Sequence, residues 1–88
     1  MILGGVVEGR LEHRVLHRFD NPTVQLPDGL HWDLVGLFHQ ILTGLRTAFA
    51  ETDDVISIGI DSWAVDYGLL RGDTLFGAPF HYRDNRCE

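Results

Sequence analysis

The side chains best suited to chemistry are crowded into one short segment, Asp61-Ser62-Trp63-Ala64-Val65-Asp66. Asp61 and Asp66 are the kind of residue that can hold a divalent cation, and Trp63 between them offers an aromatic face. The segment follows a near-continuous apolar run, Val55-Ile56-Ser57-Ile58-Gly59-Ile60. A run that is β-branched along its length rather than alternating is the pattern of a strand covered on both faces, as in the centre of an α/β sheet. Ligands of open α/β sheets gather beyond the carboxyl ends of such strands, which is where Asp61 to Asp66 would fall. On these residues alone, a strand ending in an ordinary polar turn explains the pattern equally well.

Other candidate chemistry is thinner. His13 and His17 are four apart, which in a strand puts them on one face but well separated along it. Solvated edge residues describe them better than a metal pair. Cys87 is the single cysteine, so the chain has no internal disulfide and no cysteine cluster for zinc.

The elements that must position these residues can be read in order. Residues 1–7 are expected as a strand, with Gly4-Gly5 marking a bulge or a close backbone approach. Glu8-Gly9-Arg10 is a turn, and residues 11–19 a second strand paired antiparallel to the first. Asn21-Pro22 and Pro27-Asp28-Gly29 read as loop. Residues 33–50 carry the clearest helical period, with Leu34, Leu37, Phe38, Ile41, Leu45, Ala48 and Phe49 on one stripe. Asp33 is the expected N-cap, and Trp32 the expected staple on Leu37. Gly36 and Gly44 each cost about 1 kcal/mol relative to Ala, so the helix should depend on docking. A strand over 55–60 follows, and then a hairpin over about 65–82 that turns at Arg71-Gly72-Asp73-Thr74.

Composition sets the outer limits. The 88 residues carry a formal net charge of −6 and are 44% hydrophobic, which is globular and allows one small domain. Lys plus Arg number 7 against 13 Asp plus Glu, a balance that argues against binding nucleic acid phosphates. No apolar run is long enough to span a membrane, and the first residues lack the features of a signal peptide. A cytoplasmic protein is expected.

SIGIDSWAVDYGLL followed by GAPFHYRDNR resembles the amino-terminal domain of the FGGY carbohydrate kinases, and within them the rhamnulokinases. HRFDNPTV and LHWDLVGLFHQILTGL fit the same pattern, so the resemblance covers nearly the whole chain. It implies an α/β, ribonuclease H-like fold of the actin-like ATPase kind. Residues 1–7, 11–19 and 55–60 would be its second, third and fourth strands. The first strand with its Asp-X-Gly loop, the catalytic Asp and the second lobe would lie outside these residues. Implied with it are ATP and Mg2+ as cofactors of the whole enzyme and a ketose, L-rhamnulose, as the phosphoryl acceptor. The implied sugar-site residues are Ala64, where the family has Gly with its backbone against the sugar, then Trp63 and Asp61 in the same cleft, and Tyr82 on the sugar's carbon skeleton. The 88 residues alone are expected to be inactive.

Two other classes remain open. A Mg-dependent nuclease on the same fold would use Asp61 and Asp66 as metal ligands, but two-metal sites need several convergent carboxylates and no third acid is well placed. A noncatalytic interaction module would need neither nucleotide nor metal.

Overall fold

The computed structural model describes residues 1–87. They form a small α/β assembly of three antiparallel strand pairs and one helix. The chain divides into two compact units, one built from Met1–Asp20 and Phe38–Gly59, the other from Asn21–Leu37 and the residues from Ile60 onward.

In the first unit, β1 (Ile2–Val7) pairs with β2 (Arg10–Val15). The connection is Glu8-Gly9, with φ of 52° and 78°. Two successive positive φ values give the two-residue turn whose twist matches a hairpin, and glycine takes the second position without steric cost. The strand expected over 11–19 stops at Val15. Ile2 opposite Val15 is the last pair of the register. The chain is instead tied off by Met1, whose carbonyl accepts the Leu16 N–H at 3.0 Å and whose amino group donates to the His17 carbonyl at 2.6 Å. His17 therefore lies beyond the strand that carries His13, and its Nε2 is 2.8 Å from Gln40 Oε1.

Helix α1 (Leu34–Glu51) begins at Asp33, whose carboxylate accepts the Gly36 N–H at 3.0 Å. The cap satisfies one of the free amides of the first turn. Along the apolar stripe Ala48 is buried and Leu37, Ile41 and Leu45 are half-buried, whereas Phe38 and Phe49 stay exposed. Gly44 is buried because Met1 lies over it; a Cβ there would come within 2.8 Å of the Met1 sulfur. An ion pair from Arg14 to Glu51 links β2 to the last residue of the helix. Among the described residues no helix is long and apolar enough to cross a membrane.

After the helix, residues 55–60 form no strand. A strand exists only as part of a ladder, and none of the described strands pairs with this segment. Its isoleucines are left in the open, Ile56 at 97% and Ile60 at 78% exposure.

The second unit holds an element absent from the sequence reading. The stretch expected as loop contains a hairpin, β3 (Thr23–Leu26) with β4 (Gly29–Trp32), turning at Pro27-Asp28. Pro27 presets the turn, and the chain leaves it through Gly29 at φ 141°, where a Cβ would collide with the Asp84 carboxylate. The free edge of β4 is covered by residues 79–81. Trp32 N–H donates to the Pro79 carbonyl and His81 N–H to the Leu30 carbonyl, both at 2.9 Å, around a bridge between His31 and Phe80. The hairpin expected over 65–82 is reduced to β5 (Leu70–Arg71) and β6 (Thr74–Leu75), joined through Gly72 at φ 62°. Residues 79–81 are drawn away from it by their hydrogen bonds to β4.

Candidate functional site: an aromatic cluster held by one carboxylate

The second unit brings together four rings from three stretches of chain. Trp32, the last residue of β4, is central. Its ring lies 4.5 Å from Trp63, 4.1 Å from His81 and 6.3 Å from Tyr82, centroid to centroid, in tilted arrangements. His81 and Tyr82 stack at 4.3 Å, and Arg83 sits over Tyr82 at 5.4 Å. Tilted and offset contacts of this kind add attraction beyond the area they bury.

An indole that is partly buried needs an acceptor for its N–H. Both indoles find the same one. Trp32 Nε1–H and Trp63 Nε1–H each donate to Oδ2 of Asp66, the second at 2.6 Å. A charged acceptor makes these bonds stronger than neutral ones. Trp63 reaches Asp66 across only three positions because the chain bends at Ala64-Val65, with Val65 at φ 74°. A β-branched residue at positive φ is costly, and such strain persists only where the surroundings hold it.

Below this cluster the 79–87 stretch is anchored to the β3–β4 hairpin. His31 is 3% exposed and lies against Phe80 at 4.1 Å. Its Nδ1 is 2.9 Å from the Ala78 carbonyl and its Nε2 is 2.7 Å from Asp28 Oδ1. Both ring nitrogens face acceptors, so both bonds form only when the ring is an imidazolium. The Asp28 hydrogen bond holds the His31 pKa above the usual histidine value against the opposing effect of burial, and the Ala78 carbonyl adds to the rise. The same bond holds the Asp28 carboxyl below its usual value. Asp84, 7% exposed, accepts the Leu30 N–H at 2.7 Å and the Arg86 N–H at 3.0 Å. Those two amides, Leu30 first, keep its pKa below the ordinary carboxylate value. Arg86 covers the outer face of Phe80 at 3.3 Å.

Of the four residues singled out in the sequence, the structure brings Trp63 and Tyr82 into one cluster through Trp32. Ala64 is exposed at the bend beside Trp63. Asp61 is exposed and makes no hydrogen bond or ion pair among the described residues. The sequence pattern gave Trp32 only as a helix staple and singled out neither His81 nor the part Asp66 plays. Trp32, expected to staple the helix, uses its ring on Trp63, His81 and Tyr82. The available hint was the indole N–H, which requires an acceptor wherever the ring is covered. The paired reading of Asp61 and Asp66 as metal ligands loses ground, since Asp66 is engaged by two indoles. Among the described residues no group of three or more His, Cys, Asp or Glu is arranged to hold a metal ion.

No family model matches the chain. Individual proteins do. The rhamnulokinase of Bacteroides thetaiotaomicron is 37% identical over 84 residues, 94% of this chain and 17% of that protein. The rhamnulokinase of Bacillus subtilis is 39% identical over 90 residues, covering 100% of this chain and 18% of its own length. That of Pectobacterium atrosepticum is 45% identical over 74 residues, 83% of the chain and 15% of the protein. By sequence the chain is similar to part of the rhamnulokinases. It spans less than a fifth of the length of the rhamnulokinases it matches.

Proposed function

We propose that the chain is part of an ATP-dependent sugar kinase that transfers the γ-phosphoryl group to a hydroxyl of L-rhamnulose, and that it supplies one wall of the sugar site. What carries the reading is the similarity to rhamnulokinases along nearly the entire chain. The aromatic cluster supports it: Trp63 and Tyr82, both expected against the sugar, meet across Trp32. Aromatic faces suit the C–H surface of a sugar, while hydroxyls at its edge take hydrogen bonds from neighbouring polar groups. Ala64, beside Trp63, would present its backbone to the sugar, and Asp61 would complete the rim.

The corresponding fold is the ribonuclease H-like one. In it β1 and β2 are the second and third strands, α1 is the crossover helix, and residues 55–60 are the fourth strand, paired parallel to a first strand that these 88 residues do not include. Phosphoryl transfer of this kind relies on positioning and on stabilising charge, with a carboxylate accepting the hydroxyl proton. The acidic side chains described in this chain are not grouped to hold Mg2+, so no step through the metal or ATP is assigned to them. The contribution of this chain would be to bind and orient the ketose.

A graft tests the proposal. Replacing the 84 matching residues of the Bacteroides thetaiotaomicron rhamnulokinase by this chain should preserve ADP release that depends on L-rhamnulose. In the same graft Ala64→Leu should raise KM sharply by blocking the close approach, while Ala64→Gly should lower KM or leave it unchanged. A folded graft that turns over glycerol but no ketose would rule the assignment out.

A further inference from the structure

The aromatic cluster is gathered around one carboxylate. Trp32 and Trp63 are 34 and 3 positions from Asp66 respectively, and their indole N–H groups converge on a single oxygen of its carboxylate. Each ring would otherwise be free to turn about its side-chain torsions. Trp63 is 42% exposed, so packing alone does not hold it. Pinning both N–H edges to one point fixes the angle between the rings, which is 40° at a centroid separation of 4.5 Å. Trp63 stays partly exposed while so held. The cost of holding Val65 at positive φ goes into the bend that brings Trp63 and Asp66 together.

We propose that Asp66 is a positioning residue that sets the mutual orientation of Trp32 and Trp63, and through them the affinity of the aromatic wall for a ketose. The second half of this statement rests on the sugar-kinase reading; the first half does not. Asp66 acts here as an acceptor, its Oδ2 shared by two indole donors. Its effect on the ligand is transmitted through the rings.

The test exploits the fact that Trp32 and Trp63 are the two tryptophans of the chain. Two indoles this close give an exciton couplet in circular dichroism, and each gives one indole N–H resonance in a proton–nitrogen spectrum. Both signals are read on the whole 88-residue protein, with the helical signal of α1 as the control for folding. In Asp66→Ala the couplet should collapse and L-rhamnulose, titrated by tryptophan fluorescence, should bind on the order of tenfold more weakly, the loss of roughly one hydrogen-bond-scale interaction. Asp66→Asn keeps an acceptor oxygen of the same shape and should rescue most of both, while both indole N–H resonances move together because one charge is removed from a shared partner. A couplet missing in the unaltered protein, or unchanged in Asp66→Ala, overturns the proposal. So does an Asp66→Asn protein, helical as before, in which neither indole resonance moves. If the couplet is lost in Asp66→Ala but L-rhamnulose affinity is unaltered, the link from the rings to the sugar fails, and that result is distinguishable from failure of the tether itself.

Discussion

His31 shows how much one side chain can join. It hydrogen-bonds the turn of the β3–β4 hairpin through Asp28 and the 77–81 stretch through the Ala78 carbonyl, and both bonds require the imidazolium. Because its pKa is raised in the folded chain, the stability it contributes is fully present below the unfolded histidine value and is lost as pH rises through the higher folded one. Asp84 has the opposite sign. Its pKa is lowered, so its contribution holds above the unfolded carboxylate value and disappears as pH falls through the depressed one. Thermal unfolding followed across neutral pH should therefore show a decline on the alkaline side of the ordinary histidine pKa. His31→Gln should remove that slope while leaving the acid-side decline that Asp84 produces. A His31→Gln protein with the same alkaline slope as its parent would assign the slope elsewhere.

At the scale of the element, α1 depends on a cap that conflicts with the usual way of strengthening a helix. Replacing a helical glycine by alanine ordinarily gains about 1 kcal/mol. At Gly36 the added Cβ would run into the carboxylate of Asp33, the group that caps the helix. Losing an Asp cap costs about 0.5–2 kcal/mol. Gly36→Ala alone should accordingly give no gain or a small loss in helix stability. The same change made in an Asp33→Ala background should recover the ordinary gain, a non-additivity of about 1 kcal/mol between contacting residues. Helical ellipticity followed through a thermal melt measures the four states. Strict additivity would place the Asp33 carboxylate away from Gly36 in solution.

At the scale of the molecule, apolar surface outweighs what the chain covers. Ala48 is the buried apolar side chain of the described residues, while Ile56 is 97%, Leu11 78%, Ile60 78% and Phe38 60% exposed. Residues 55–60 combine high β-propensity, no charge and no proline, with no ladder partner, which are the conditions for pairing between chains. The protein alone should self-associate as its concentration rises, and the double substitution Ile56→Lys, Ile58→Lys should suppress this without reducing the helical signal. Sedimentation over a concentration series reads the first effect. Amide exchange in the monomer supplies the check on the cause: residues 55–60 should be unprotected, and strong protection there would mean the segment has found a partner strand within the chain.

What could be read from the sequence is what is decided by near neighbours. The heptad-like spacing from Leu37 to Ala48 specifies a helix, Asp33 reaches its amide three residues on, and Glu8-Gly9 turns β1 back on β2 within two residues. The resemblance to rhamnulokinases was also legible, because it is read from residue order, as around Asp61 to Asp66 and in the 77–86 segment, rather than from packing. Tertiary structure decided everything that joins distant positions. The extent of β2 is that of its ladder with β1, from Arg10 opposite Val7 to Val15 opposite Ile2. The β3–β4 hairpin, masked in sequence by Pro22 and Pro27, is secured by Leu30 and Trp32 bonding to residues 79–81. The strand signature of residues 55–60 is genuine as a propensity, yet a strand needs a neighbour and propensity cannot supply one. Above all, the meeting of Trp32 with Trp63 on the carboxylate of Asp66 depends on a contact 34 residues apart, which no local pattern encodes. Local spacing sets torsions and faces; which donor meets which acceptor across the chain is settled only when the chain has folded.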